Sequence, residues 1–303
     1  MSELKNKPEN SAFKQQRLPA FQPIYTPKVI SIIFFILAAV LYIFGFPIYA
    51  LSNEIIEVSK RYDDHCGKKK ECKLYITIDE EIPEPVYVYY ELSNFYQNHR
   101  LYVRSRSYTQ LRDGKPLETE LDLCKPAKYN KDFKDTLGFN TDLSDSLDDV
   151  AVPCGMIAKS LFNDDYKIGD YKVNDEDIVY SSDKDIFKNG DESKQWMKMD
   201  NRFRVWMKIA PFSTFRKLWG VIEEDVKKGE LLVTIENNYD VDEWDGEKRI
   251  VLSNANAFGG KNPTLGIIFI VAGSFSLMCA LIFLVTWIVY KPADYGDPLS
   301  WKY

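Results

Sequence analysis

Val29–Leu51 reads VISIIFFILAAVLYIFGFPIYAL, 23 residues without a charge, and Leu265–Tyr290 reads LGIIFIVAGSFSLMCALIFLVTWIVY, 26 residues without a charge. At a rise of about 1.5 Å per residue, about 20 such residues cross the hydrocarbon core of a bilayer. Each stretch is therefore expected to form a transmembrane helix. They divide the 303-residue chain into an N-terminal tail (1–28), a first span (29–51), a middle domain (52–264), a second span (265–290) and a C-terminal tail (291–303). Two spans place both tails on one side of the membrane. The middle is left as one large domain on the other side, long enough to bury its own core.

Charge follows the same partition. The N-terminal tail carries a net +3, the C-terminal tail is neutral and the middle domain is −9. An acidic domain lacks the basic footprint of a nucleic-acid binder, which excludes that class. Ala50-Leu51-Ser52 has a small-x-small pattern, but the preceding apolar run exceeds the roughly 7–15 residues of a signal-peptide core. The first span reads as a signal anchor.

Lysine and arginine counts do not orient the spans: Lys60, Arg61, Lys68, Lys69 and Lys70 stand against Lys14, Arg17 and Lys28, and a long loop is translocated largely regardless of its charge. Cysteines do. Cys66, Cys72, Cys124 and Cys154 lie in the middle domain, an even set that suggests two disulfides and an oxidising lumen or exterior. Cys279, inside the second span, is a small apolar side chain. Both tails are then cytosolic.

Within the middle domain several segments alternate with the period of a strand. Lys73–Asp79 sets Leu74, Ile76 and Ile78 on one face, and Val86–Tyr90, Val205–Ala210, Leu231–Glu236 and Arg249–Leu252 read similarly. One stretch has helical spacing: Leu92, Phe95, Tyr96, His99, Tyr102 and Val103 share a face, with Ser93 as cap. The acidic stretches 141–149 and 163–200 read as surface loops and lack the ligand pattern of a calcium loop. The expected fold is a membrane protein whose two helices flank an α+β ectodomain with an antiparallel, sandwich-like sheet core.

No catalytic constellation emerges. The two histidines, His65 and His99, form no zinc pair, and His99 reads as a satisfied core residue. Nucleophile-elbow, dinucleotide and phosphate-loop patterns are absent; Gly259-Gly260-Lys261 reads as a turn. Adjacent acids such as Asp164-Asp165 are expected by chance in so acidic a domain. No metal site is expected.

Four cysteines allow three connectivities. Pairing Cys66 with Cys72 closes the tip Gly67-Lys68-Lys69-Lys70 at little loop entropy and leaves Cys124 with Cys154. On the chain-entropy account these would contribute about 2.4 and 3.7 kcal/mol. The basic tip reads as a solvated hairpin. In the second span Ala272, Ser276 and Ala280 recur every four residues, a small-residue seam where another helix can approach.

Several blocks resemble one family. They are Ala12-Phe13-Lys14-Gln15-Gln16-Arg17-Leu18-Pro19-Ala20-Phe21-Gln22-Pro23, the run from Tyr89 through Arg106, Pro153-Cys154-Gly155-Met156-Ile157-Ala158 and Phe162-Asn163-Asp164. Phe215-Arg216-Lys217-Leu218-Trp219-Gly220, Val251-Leu252-Ser253, Gly259-Gly260-Lys261-Asn262 and Gly296-Asp297-Pro298-Leu299-Ser300-Trp301 continue them. In order from residue 12 to residue 301, they look like the cell division control protein 50 (ligand-effect modulator) family, the beta subunits of type IV P-type ATPases that flip phospholipids. Phe21 replaces the family's usual tryptophan, and residues 177–183 replace a more apolar segment. No glycosylation site is expected, since Asn262-Pro263-Thr264 is blocked by its proline.

The resemblance implies a non-catalytic accessory subunit and chaperone, a heterodimer partner that stabilises an ATPase, permits its exit from the endoplasmic reticulum and supports aminophospholipid movement to the cytosolic leaflet. It implies no cofactor, because ATP and magnesium belong to the partner. It implies residence in endoplasmic reticulum, Golgi, endosomal or plasma membranes, and favours the pairings Cys66–Cys72 and Cys124–Cys154. Phe13, Lys14, Gln15, Gln16, Arg17, Leu18, Pro19, Ala20 and Phe21 would lie against the partner's cytosolic face. The alternative is a free-standing two-span receptor or adhesion protein, which would have no need of that tail. A membrane-tethered enzyme would need a constellation that could not be assembled.

Overall fold

The computed structural model describes residues 9–18, 25–136, 138–257 and 259–290. Leu51–Asn262 form one compact unit, and the residues up to Ala50 with those from Pro263 form another. The second of these is built on two 27-residue helices whose composition suits a membrane, Thr264–Tyr290 and, as far as Ala50, Pro27–Asn53.

Among the described residues the ectodomain contains eight strands: β1 (Glu57–Arg61), β2 (Glu71–Ile78), β3 (Val86–Leu92), β4 (Asp165–Ile168), β5 (Val173–Asn174), β6 (Phe215–Ile222), β7 (Gly229–Glu236) and β8 (Lys248–Ser253). They form two antiparallel sheets, one ordered β1-β8-β3-β6-β5 and the other β2-β7-β4. Alternation explains most of this. Leu74, Ile76 and Ile78 of β2 and Val86, Val88, Tyr90 and Leu92 of β3 are buried, and their sequence neighbours face outward. Inward residues of both sheets join one apolar cluster, and the rings of Tyr166 on β4 and Trp219 on β6 meet edge to face at 5.0 Å. The ladder between β3 and β6 slips at Val88/Tyr89, where Val88 pairs with Gly220 and Tyr89 with Leu218. Trp219 is the extra residue, and this bulge lets it and Gly220 both be buried.

Three expectations are overturned. Val205–Ala210 is not a strand: Asn201–Trp206 is helical, because the Asp200 carboxylate accepts the Phe203 N–H at 2.7 Å and so caps its first turn. The helix expected from Leu92 to Val103 is reduced to Arg100–Arg104. Leu92 ends β3, Asn94 turns the chain at φ +56°, and the Phe95 N–H leaves for the Ser213 carbonyl at 3.0 Å. His99 is exposed in that turn, and Gln97, not His99, is buried, accepting the Ala210 N–H at 2.9 Å. Finally, residues 163–200 are not merely surface loops. They supply β4, β5, a helix at Ser181–Ile186 and the buried Phe187, Trp196 and Met199. Trp196 stacks on Phe133 at 4.6 Å and donates its indole N–H to the Pro153 carbonyl at 2.6 Å.

Candidate functional site

The tail segment 9–18 folds on itself through local hydrogen bonds. Gln15 N–H donates to the Ser11 carbonyl at 3.0 Å and Arg17 N–H to the Ala12 carbonyl at 2.7 Å, closing a turn. Lys14 pairs with Glu9 at 2.6 Å, and the Arg17 guanidinium donates to the Asn10 side chain at 2.5 Å. Those bonds occupy the polar groups and leave Phe13 76% and Leu18 57% exposed. Phe13, Lys14, Gln15, Gln16, Arg17 and Leu18 are thus presented together; Pro19, Ala20 and Phe21 lie outside the described residues.

The two spans pair with each other through small residues. Ser31, Ala38 and Gly45 recur every seven residues on the first span, and Gly266, Gly273 and Ala280 every seven on the second; all six are buried. A strict seven-residue period keeps one seam of each helix facing its neighbour. The Ser31 hydroxyl donates to the Ala280 carbonyl at 2.9 Å, Tyr42 and Ser274 share a hydrogen bond at 2.9 Å, and Phe34 stacks on Phe283 at 6.1 Å. A Cβ on Gly266 would lie 2.8 Å from the Tyr49 backbone nitrogen, so only glycine permits this approach. The four-residue seam expected from the sequence lies partly on this contact. Ser276 and Ala280 are buried, but Ala272 is only partly so, and Gly273 takes its place because the facing helix follows the seven-residue period.

In the ectodomain, Cys66 is bonded to Cys72 and Cys124 to Cys154. The first bridge fixes the exposed tip 67–70 to the start of β2. The second joins segments whose backbones touch, the Gly155 N–H donating to the Ala127 carbonyl at 2.9 Å; Gly155, at φ +103°, also packs so closely on the Ser105 carbonyl that a Cβ would collide with it. Ser105 in turn donates its hydroxyl to the Lys125 carbonyl at 2.7 Å and accepts the Met156 N–H at 2.8 Å.

The interior holds a polar centre that sequence reasoning passed over. Asp164 accepts from Lys248 Nζ and the Tyr62 hydroxyl at 2.7 Å each on one oxygen, and from the Asn238 and Tyr239 N–H groups at 2.6 Å each on the other. Lys248 also donates to the Asn237 side chain and the Tyr239 carbonyl at 2.5 Å each. Together these bonds tie Lys248 of β8 and Tyr62, just after β1, to the loop before β4 and the loop after β7. Burial pushes the phenols of Tyr62, Tyr166 and Tyr239 well above their ordinary range, so they stay neutral donors. A second buried lysine, Lys217 on β6, donates to the carbonyls of Val205, Trp206 and Lys208 and closes the end of the helix Asn201–Trp206. Both lysines are spent on carbonyls and a carboxylate, which is the chemistry of a brace.

Comparison with known proteins covers nearly the whole chain. The family model described as LEM3 (ligand-effect modulator 3) family / CDC50 family matches residues 49–293. The chain is 35% identical to ALA-interacting subunit 3 of Arabidopsis thaliana, over 98% of this chain and 91% of that protein. It is 32% identical to Cell cycle control protein 50A of Bos taurus, over 92% and 88%. With the Phospholipid-transporting ATPase accessory subunit CDC50 of Chaetomium thermophilum it shares 25% identity, over 98% and 92%.

Proposed function

Because the chain belongs to the LEM3 (ligand-effect modulator 3) family / CDC50 family, we propose that it is the non-catalytic accessory subunit of a type IV P-type ATPase and works as a heterodimer with that enzyme. The observation that carries this reading is the reach of the match. Residues 49–293 fit the family, and relatives named as interacting or accessory subunits align with 98% of the chain. Neither name describes a free-standing receptor or adhesion protein.

In this reading the ATP site, its magnesium and the phosphorylated aspartate belong to the partner, and this chain needs no cofactor. Its work is to stabilise the partner's fold, permit exit from the endoplasmic reticulum and support lipid movement toward the cytosolic leaflet. The tails are cytosolic and the ectodomain faces a lumen or the exterior, in keeping with its two disulfides. Golgi, endosomal or plasma membranes are the working compartments. Contact is spread over ectodomain, spans and tail, so that loss of one layer during the transport cycle leaves the others holding.

The test is recovery of the full chain in mild detergent with whatever accompanies it. Co-purification of an ATPase whose hydrolysis is stimulated by phospholipid is the expected result. Recovery of the chain alone, correctly targeted and at full abundance, would overturn the reading.

A further inference from the structure

A cavity of about 980 Å³ lies in the ectodomain against the loop after β7. Small-molecule sites run from roughly 300 to 1,000 Å³ and combine aromatic walls with a few polar groups. The walls here include Phe95, Tyr102, Tyr239 and Trp244. Their rings meet edge to face, Phe95 with Tyr102 at 5.7 Å and with Trp244 at 5.6 Å, and Tyr239 with Trp244 at 5.9 Å. Hydrogen bonds hold them in place. The Tyr102 and Ser160 hydroxyls are 2.6 Å apart, the Tyr239 hydroxyl donates to the Ser160 carbonyl at 3.1 Å, and the Asn94 side chain donates to the Trp244 carbonyl at 2.5 Å. The cavity is thus preformed, and a ligand entering it has little ordering to impose.

Charges of both signs line the same walls: Lys70, Lys134 and Lys159, and Asp135, Asp240 and Glu243. Among the described residues none of them forms an ion pair. Lys70 is carried to the rim by the bridged tip, whose Lys69 and Lys70 carbonyls accept from the Asn237 side chain at 3.1 Å and the Asn237 N–H at 2.7 Å. Asp240 and Glu243 share the loop of Trp244, and negative charge beside an aromatic ring is a setting that holds an ammonium. The lysines offer the charge-assisted donors that a phosphate needs. Asn163, also in the lining, keeps its Oδ1 buried and without a partner among the described residues. An acceptor so placed calls for an N–H or O–H donor.

We propose that this cavity binds a small phosphate ester that carries a primary ammonium group, its phosphate on the lysines and its ammonium near Asp240, Glu243 and Trp244. The site lies within this chain and stands independently of the accessory-subunit reading. A bare phosphate would meet unpaired carboxylates, and a bare amine would meet unpaired ammoniums. A ligand with both charges satisfies both sets, which gives the site its selectivity. A free solute and the headgroup of a phospholipid present this same chemistry.

The experiment is equilibrium dialysis of the full chain, in a non-ionic detergent, against radiolabelled phosphoethanolamine. One saturable site per chain is the expected result, with inorganic phosphate or ethanolamine alone competing at least about tenfold more weakly. Lys134→Gln/Lys159→Gln and Asp240→Asn/Glu243→Gln should each weaken binding about tenfold while both disulfides still form. A phosphatidylethanolamine with a photoactivatable headgroup, presented in nanodiscs, separates the two sources. Adducts that phosphoethanolamine suppresses support the lipid headgroup, and solute binding without adducts supports the free ester. Absence of saturable binding would overturn the proposal. So would competition by phosphate or ethanolamine as strong as by phosphoethanolamine, or undiminished binding by either double variant.

Discussion

Lys248 Nζ stands 2.7 Å from Asp164 Oδ2, with the two side chains 2% and 0% exposed. The pair joins an end of the five-stranded sheet to the lead-in of β4 in the other sheet. Removing one partner strands a buried charge, which typically costs about 3–5 kcal/mol. Asp164→Ala should cost the most, because four donors lose their acceptor at once. Lys248→Met should cost less, since Tyr62, Asn238 and Tyr239 still satisfy the carboxylate. Denaturant unfolding of the full chain in detergent, followed by tryptophan fluorescence, checks this order. Negligible losses would show that the pair is dispensable, and equal losses would refute the order.

The bridges differ in what they constrain. Cys124–Cys154 closes a longer loop than Cys66–Cys72, so its loss should destabilise the ectodomain more, by about 3.7 against 2.4 kcal/mol in the entropic account. The Cys124→Ser/Cys154→Ser pair should show the larger fall in unfolding midpoint and the greater retention in the endoplasmic reticulum. A larger effect from the Cys66→Ser/Cys72→Ser pair would refute the ordering.

The legible parts of this fold are those where one face is wet. β2, with burial alternating residue by residue, and β7 stand out for that reason. β8 is buried along nearly its whole length, yet its β-branched run marks it as a strand. β1, Glu-Val-Ser-Lys-Arg, is an edge strand paired only with β8, and its composition is that of a loop. β4 is four residues long, with Asp165 and Lys167 facing out, and disappears into the acid around it. The stretch 92–103 carries a helical spacing, but tertiary bonds from Phe95 and Gln97 claim its backbone and side chains first. In the sequence Asp164 is one of many carboxylates. Nothing local distinguishes it from Asp165, because its partners come from positions 62, 238, 239 and 248. The span seam was legible as small residues, but its seven-residue period required Gly266 and Gly273 to be counted with Ala280.

Gly266 and Gly273 should respond differently to the same change. A methyl group at Gly266 meets the Tyr49 backbone at 2.8 Å, which cannot yield without moving a helix; at Gly273 it meets the Tyr42 ring at 3.2 Å, which can swing. Gly266→Ala should therefore cost about 1–3 kcal/mol and Gly273→Ala less. Thermal unfolding in detergent, together with the yield of a crosslink between Ser31→Cys and Ala280→Cys, reads both effects. Unchanged crosslinking in the Gly266 variant would mean that the spans do not pair this way.

Lys217 sets a pH dependence. Burial first, and the Lys208 charge second, push its ammonium down to about 7, against about 10.4 for a free lysine. The unfolded chain then holds more protons than the folded one across that interval, so stability rises with pH between about 7 and 10, with a slope of up to about 1.4 kcal/mol per unit. Beyond about 10 the sign reverses. The unfolded tyrosines ionise there, whereas burial keeps Tyr62, Tyr90, Tyr166 and Tyr239 neutral in the folded state. Melting temperatures of the full chain should peak near pH 9–10, within about one unit. Lys217→Met should flatten the rising limb and leave the fall intact; a rising limb of unchanged slope in that variant would assign it to other groups.

The tail turn makes the most direct prediction about the complex. Phe13 is held outward by a turn whose own polar groups are satisfied by Ser11, Ala12, Glu9 and Asn10, so its ring has no role in the turn itself. An aromatic anchor lost from an interface centre costs about 2 kcal/mol or more. In a complex also held by spans and ectodomain, that loss should leave co-purification nearly intact and appear in the catalytic cycle. Phe13→Ala should therefore lower lipid-stimulated ATP hydrolysis severalfold at unchanged subunit stoichiometry. Deleting residues 1–23 should lower it further, and Arg17→Ala, which frees the Asn10 side chain and loosens the turn, should fall between the two. Full turnover in all three complexes would remove the tail from the interface and leave ectodomain and spans to carry the contact alone.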